Sequence, residues 1–167
     1  MHAEYFYELI HQQKHMKPQP ALFSFELPLQ LRWNDCDPLG HVNNAAYITY
    51  FEIGRSLFML KLSERWDWNK DMFLIANVNC NFLQELKLDV KQPKVHCRVS
   101  KMGGKSFDIE YLVSSGSGDS TKLHAVGTTT QVMFDMKTRS TVEIPEWLKN
   151  DILNFEKEGS IVFPAKA

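Results

Sequence analysis

The chain has 167 residues, of which 44% are hydrophobic, 12% aromatic and 23% charged, and its formal net charge is −1. That length and mixture predict one globular domain with a sizeable core and exclude a disordered or fibrous chain. The balanced charge, with no run of lysine or arginine, argues against a nucleic-acid partner, and no apolar run is long enough to insert across a bilayer.

Along the chain, residues 3 to 15 place Tyr5, Phe6, Leu9 and Ile10 on one helical face, and Pro18 and Pro20 then stop the helix. Residues 1–22 are therefore expected to form an N-terminal helix and linker, ahead of a single domain over residues 23–160 and a tail over 161–167. From Phe23 to Trp33 the pattern is extended. Asn34 to Asn43 is rich in Asn, Asp, Gly and Pro and predicts a loop. Asn44 to Leu62 is apolar over most of a helical circumference, with Thr49, Glu52, Arg55 and Ser56 as its narrow polar stripe. Such a helix must be buried on most sides.

Strand-like segments follow. Val78, Cys80 and Phe82 alternate with Asn77, Asn79 and Asn81, and Val95, Cys97 and Val99 alternate with His96, Arg98 and Ser100. Met102-Gly103-Gly104-Lys105 predicts a hairpin turn into a strand carrying Phe107, Ile109, Tyr111 and Val113. A second turn over Ser114 to Ser120 leads into a long strand from Leu123 to Phe134. Pro145 then opens a final helix with Leu148, Ile152 and Phe155 on one face. One buried helix followed by an antiparallel meander implies an α+β domain whose sheet curls over the helix.

Glu4 stands where a secretory signal carries basic residues, and Cys36, Cys80 and Cys97 are odd in number with no C-x-x-C spacing. These features predict a cytoplasmic protein without a disulfide framework, a structural metal site or a bound cofactor.

Chemistry concentrates in the segment Asp35-Cys36-Asp37-Pro38-Leu39-Gly40-His41-Val42-Asn43-Asn44, which leads directly into the buried helix. A positioned carboxylate in such a loop can attack a carbonyl or activate water, which suffices where the leaving group, like a thiol of pKa about 8.5, needs no strong general acid. The developing oxyanion needs donors, and the first amides of a helix, here at Asn43 and Asn44, have no intrahelical acceptor and lie at the positive end of its dipole. Gly40 gives the loop the freedom to bring these features together. Read alone, Asp35 and Asp37 are also ordinary turn and capping residues, and Asn43 is most simply an N-cap. Cys36 as a nucleophile with His41 as its base is disfavoured, because two neighbouring carboxylates oppose a thiolate.

The pattern D-x-D-x-x-G-H-V-N-N-x-x-Y from Asp35 to Tyr47, continued by Tyr50-Phe51-Glu52, resembles the hotdog thioesterases related to 4-hydroxybenzoyl-CoA thioesterase, and also the acyl-carrier-protein thioesterases. Gly127-Thr128-Thr129 and Ile144-Pro145-Glu146 fall in the same order, so the resemblance covers roughly residues 24 to 150. It implies a five-stranded antiparallel sheet wrapped around one long central helix, in a homodimer or homotetramer with sites between subunits. It implies Asp37 as catalytic carboxylate and the Asn44 amide as oxyanion donor. His41 matches a catalytic histidine proposed in the acyl-carrier-protein branch, and read by itself it is a loop-ordering or substrate-contacting residue. That branch carries an asparagine where this chain has Leu39.

Gly40, Asn43 and Glu52 are candidate substrate contacts, and the other reading of Glu52 is a pair with Arg55 or Ser56 one turn on. A coenzyme A tail needs cations, for which Arg98, Lys101 and Lys105 are candidates, although lysines on a hairpin are also ordinary solvated surface. The function these readings imply is hydrolysis of an acyl-CoA or acyl-carrier-protein thioester. The alternatives are a dehydratase using His41 and Glu52, from which free-thiol release separates a hydrolase, and a non-catalytic acyl-CoA-binding protein, which would leave acyl-CoA unchanged.

Overall fold

The computed structural model describes residues 19–156 and residue 161; the helix expected over residues 3 to 15 lies outside the described residues. The long apolar run forms helix α1 (Asn44–Leu62), opened by the Asn43 side chain, which accepts a hydrogen bond from the Ala45 amide. Strands β2 (Phe73–Phe82), β3 (Lys94–Met102), β4 (Ser106–Ser115) and β5 (Lys122–Asp135) follow it, and β1 (Phe25–Pro28) precedes it. All five pair antiparallel in the order β1-β3-β4-β5-β2. A two-residue β6 (Ser140–Thr141) folds back on β5, and α2 (Glu146–Phe155) follows with Pro145 as its N-cap. This is the expected α+β hotdog arrangement of five main strands curled over one helix.

Of the extended stretch expected from Phe23 to Trp33, only Phe25–Pro28 pairs as strand. Pro28 has no N–H with which to continue a ladder, and Trp33–Asp35 closes into a 3-10 turn instead.

Alternation decides what meets α1. Val95, Cys97 and Val99 of β3 and Phe107, Ile109 and Tyr111 of β4 are buried, as is Met133 of β5. Two glycines let the helix come close. A Cβ on Gly54 would lie 3.0 Å from Val95 Cγ1 and 3.1 Å from Cys97 Sγ. One on Gly127 would overlap Phe51 Cε2 and lie 2.6 Å from the Asn79 carbonyl oxygen. Phe51 uses the space over Gly127 to stack on Tyr111, with ring centroids 4.4 Å apart and 15° between planes. Because the Asn79 carbonyl belongs to the paired sheet and cannot retreat, Gly127→Ala is expected to cost roughly 1–3 kcal/mol by overpacking. Thermal unfolding checks this, and an unchanged Tm would show that the Phe51 contact is pliable.

The described residues of one chain do not complete the wrapping that the apolar helix demands. Ile48, Ile53, Leu57 and Leu60 of α1 remain 39, 42, 43 and 47% exposed. β2 lies at the end of the sheet order, and its Leu74, Ile75, Val78 and Phe82 are exposed as well. No helix among the described residues is long and apolar enough to cross a membrane.

Candidate active site

The loop before α1 is anchored by Asp35. Its buried carboxylate accepts hydrogen bonds from the Arg32 amide at 2.9 Å, from Arg32 Nε at 3.1 Å and Nη2 at 2.9 Å, and from the Tyr50 hydroxyl at 2.9 Å. Burial opposes ionisation of Asp35, but these donors outweigh it and hold the carboxyl below the usual carboxylate range. The Asp35 carbonyl accepts from the Asn43 amide at 2.7 Å, so the loop is tied at both ends. Asp35 is thus occupied on both carboxylate oxygens.

Asp37 differs. It sits in a small hairpin closed by a bridge between Cys36 and Val42, with the Asp37 amide donating to the His41 carbonyl at 2.9 Å and the Gly40 amide donating to the Asp37 carbonyl at 3.0 Å. Gly40 has φ +80°, the left-handed conformation that a three-residue hairpin loop requires at this position and that glycine adopts without strain. Asp37 Oδ1 accepts from the Leu39 amide at 2.9 Å and the His41 amide at 3.4 Å. Among the described residues, Oδ2 takes no donor. One oxygen is therefore fixed and the other is free, on a half-buried side chain. At the adjoining helix start the Asn43 side chain and carbonyl satisfy the amides of Ala45 and Ala46, each at 2.9 Å. The Asn44 amide, at the first helical position, finds no acceptor among the described residues.

His41 turns to a partner that the sequence did not reveal. Its Nε2 lies 2.7 Å from Glu85 Oε2, and Glu85 Oε1 lies 2.9 Å from Lys87 Nζ. The ammonium of Lys87, with a smaller contribution from His41, holds the Glu85 carboxyl below the usual range. The segment after β2 reaches the loop through a His41–Lys87 bridge and a hydrogen bond from the Val42 amide to the Leu86 carbonyl at 2.8 Å. In the sequence Glu85 and Lys87 look like solvated charges, and only the chain's return past the helix start brings them to His41.

The remaining candidates are dispersed. Glu52 is exposed and makes no ion pair among the described residues, so its expected pairing with Arg55 or Ser56 does not form. Arg55 instead reaches the Tyr111 hydroxyl at 3.4 Å and lies 5.9 Å from the Phe73 ring centroid. Arg98 is engaged by Glu110, 2.6 Å from Nη2, and stacks over Phe23 at 5.5 Å. Since Cys97 and Val99 face α1, Arg98 between them points to the opposite face of the sheet. Lys101 and Lys105 flank the β3–β4 turn, whereas the Asp37 loop adjoins the other end of the sheet, where Phe82, Ala125, Val113 and Val95 align. Val95 and Met102 are seven residue steps apart, about 23 Å at ~3.3 Å per residue, so these cations are not brought to Asp37 within one chain.

Two buried histidines stand at the loop end of the sheet. His96 Nε2 is 2.8 Å from Ser114 Oγ, and His124 Nε2 is 2.7 Å from Ser115 Oγ. Burial pushes both imidazoles below the ordinary histidine value, opposed only in part by Glu26 near His96 and by the Glu85 carbonyl bonded to His124. A native ring that resists protonation means that the unfolded state binds more protons below about pH 6.5, so stability falls as pH falls through that value toward the lowered native ones. Tm is expected to decline between about pH 6.5 and 5, ahead of the carboxylate transition. A flat profile over that interval would contradict the assignment of neutral, buried rings.

No three His, Cys, Asp or Glu side chains among the described residues are grouped to hold a metal ion. A model of the thioesterase-like superfamily matches residues 31–152 of the chain. The chain is 26% identical over 97 residues to the uncharacterized protein YsmA of Bacillus subtilis (strain 168), a match covering 58% of this chain and 65% of that protein. It thus spans just under two thirds of the length of this curated relative. Among solved structures, it aligns with a thioesterase of Thermus thermophilus complexed with coenzyme A and Zn, at 26% identity and a TM-score of 0.70, over 81% of this chain and 96% of that one. The fold is also shared with a 4-hydroxybenzoyl CoA thioesterase mutant complexed with 4-hydroxybenzoyl CoA, at 17% identity and a TM-score of 0.69, over 77% of this chain and 97% of that one.

Proposed function

Because the chain belongs to the thioesterase-like superfamily, we propose that it is an acyl-CoA thioesterase in which Asp37 is the catalytic carboxylate and the first turn of α1 is the oxyanion site. The observation that carries this reading is the asymmetry of Asp37. Two loop amides hold Oδ1, while among the described residues Oδ2 takes no donor and the Asn44 amide of the adjoining helix start finds no acceptor. A thioester carbonyl seated between them would receive the carboxylate, or a water it activates, at carbon and the Asn44 amide at oxygen. Direct attack forms a mixed anhydride and expels the thiolate, and water then cleaves the anhydride. Attack by water releases acid and thiol in one addition and collapse.

Coenzyme A is favoured as the carrier because the Thermus thermophilus relative is a thioesterase solved with it. An acyl-carrier-protein donor is the second reading, supported by His41 and weakened by Leu39. We further place the site in a homodimer, supported by the edge of β2 and the face of α1 that the described residues leave unpaired and uncovered, and the protein in the cytoplasm, where three free cysteines stay reduced. A panel of aromatic, short and medium acyl-CoA thioesters, followed by free-thiol release, tests the activity. Turnover of at least one class is expected. Unchanged thioester throughout, with the protein folded and binding it, would favour a non-catalytic acyl-CoA-binding role.

A further inference from the structure

The side chain of His124 has no place in the chemistry above, yet its ring adds a third link to two that the residue's backbone carbonyl makes to the same turn. On β5 it is buried, and its carbonyl accepts hydrogen bonds from the Leu83 amide at 2.8 Å and the Gln84 amide at 3.3 Å. Its ring Nδ1 lies 2.8 Å from the Glu85 carbonyl oxygen. A carbonyl oxygen only accepts, so Nδ1 carries the proton, and Nε2 of the neutral ring is left to accept the Ser115 hydroxyl at 2.7 Å. His124 and Ser115 therefore fix both the tautomer and the path of the chain from Leu83 to Leu86. That path determines where two loop anchors stand: the Glu85 carboxylate, 2.7 Å from His41 Nε2, and the Leu86 carbonyl, which accepts from the Val42 amide at 2.8 Å. Val42 bridges Cys36, and His41 supplies both the carbonyl that takes the Asp37 amide and an amide donor to Asp37 Oδ1.

We propose that His124, held in its Nδ1–H tautomer by Ser115, is a positioning residue that sets the Asp37 loop through the Leu83–Leu86 turn. The inference rests on the thioesterase reading for its consequence in turnover, but not for its effect on the loop. It touches no substrate. Its action is to keep the Glu85 and Leu86 anchors in register with His41 and Val42, and so to hold Asp37 Oδ2 in place.

The test compares His124→Leu, which removes the donor and keeps an apolar body, with His124→Asn, whose side-chain amide can donate from near the Nδ1 position. In folded His124→Leu, hydrogen exchange at the Val42 and Asp37 amides is expected to rise about tenfold or more while Ile109 in β4 stays protected. With a substrate the parent hydrolyses, kcat is expected to fall about 10- to 100-fold with KM nearly unchanged, as for a displaced reacting group. His124→Asn is expected to recover most of both. Unchanged Val42 exchange, equal loss of protection across the sheet, or no recovery in His124→Asn would overturn the proposal. Nitrogen-15 spectroscopy of the parent protein is a second measure that needs no variant, and a His124 ring protonated on Nε2 at neutral pH would overturn it too. If the parent cleaves no thioester, the exchange and tautomer measurements still decide the positioning role, so its failure is distinct from failure of the functional reading.

Discussion

Asp37→Asn is expected to abolish thioester hydrolysis while leaving the fold and acyl-CoA binding in place. Asparagine keeps the side chain's shape, and its carbonyl oxygen can still accept from the Leu39 and His41 amides as Oδ1 does now. What it loses is the free, charged oxygen. A positioned base alone contributes about 10²- to 10⁴-fold, and a carboxylate that forms an anhydride more. Steady-state turnover beside ligand-binding and melting measurements checks this, and near-parental turnover would remove Asp37 from the chemistry and turn attention to His41 and Glu52. Asp35→Asn is the informative companion. It sits in the same loop and removes the same charge, but its carboxylate is buried under Arg32 and Tyr50. Its amide nitrogen would face donors, so it is expected to lose roughly 1–3 kcal/mol of stability and far less turnover per folded molecule.

Val78→Asp is expected to convert a homodimer into monomers and to remove most activity with it. Val78 lies on the same face of β2 as Phe82, which packs edge-on against Tyr47 of α1, so its exposed side chain stands on the side of the sheet that carries the helix. A two-fold pairing of β2 with its copy, as in the proposed homodimer, would satisfy both edges left open by the described residues. In such an interface one substitution places a charge at two symmetry-related points, and burying an unpaired carboxylate costs several kcal/mol each time. Antiparallel pairing also carries the Phe82 end of β2, where the Asp37 loop adjoins, to the Phe73 end of its copy, so each site would take part of its wall from the other chain. Sedimentation at micromolar concentration and turnover per chain are the two readings. A Val78→Asp protein that stays dimeric, or a parent monomer with full activity, would defeat the shared-site arrangement.

The helix is the most legible element. Asn43 is a side-chain cap, and Asn44–Leu62 carries a continuous apolar surface, so both the start and the burial of α1 follow from local chemistry. The β3–β4 hairpin is equally local, with two glycines between alternating runs. Gly127 is legible only in hindsight, since nothing near it in sequence says that Phe51 will lie over it. In the site, the Asp37 loop can be read because its spacing is contiguous. Glu85 and His124 cannot, for each reaches its partner across some forty residues of chain, and His124 does so through backbone groups that carry no side-chain signal. The placing of Arg98 is legible for a different reason. Its flanking Cys97 and Val99 face the helix, so period-two alternation already sends it to the other side, where Glu110 and Phe23 occupy it.

The place of α1 in the chain order has a consequence during synthesis. The helix emerges from the ribosome before β2, β3, β4 or β5, yet β3, β4 and β5 supply the floor on which it rests, and Gly127 and Met133 come late. About seventy residues separate Leu62 from Met133, an interval of roughly 4–15 s at translation rates of about 5–20 residues per second. Through that interval the floor under a strongly apolar helix is incomplete, because β3 and β4 arrive first and only β5 joins them to β2 and closes the sheet. Nascent chains stalled before Asp135 should therefore bind holdase chaperones and be cut readily by protease, and release should come abruptly once β5 has cleared the exit tunnel rather than gradually with each added strand.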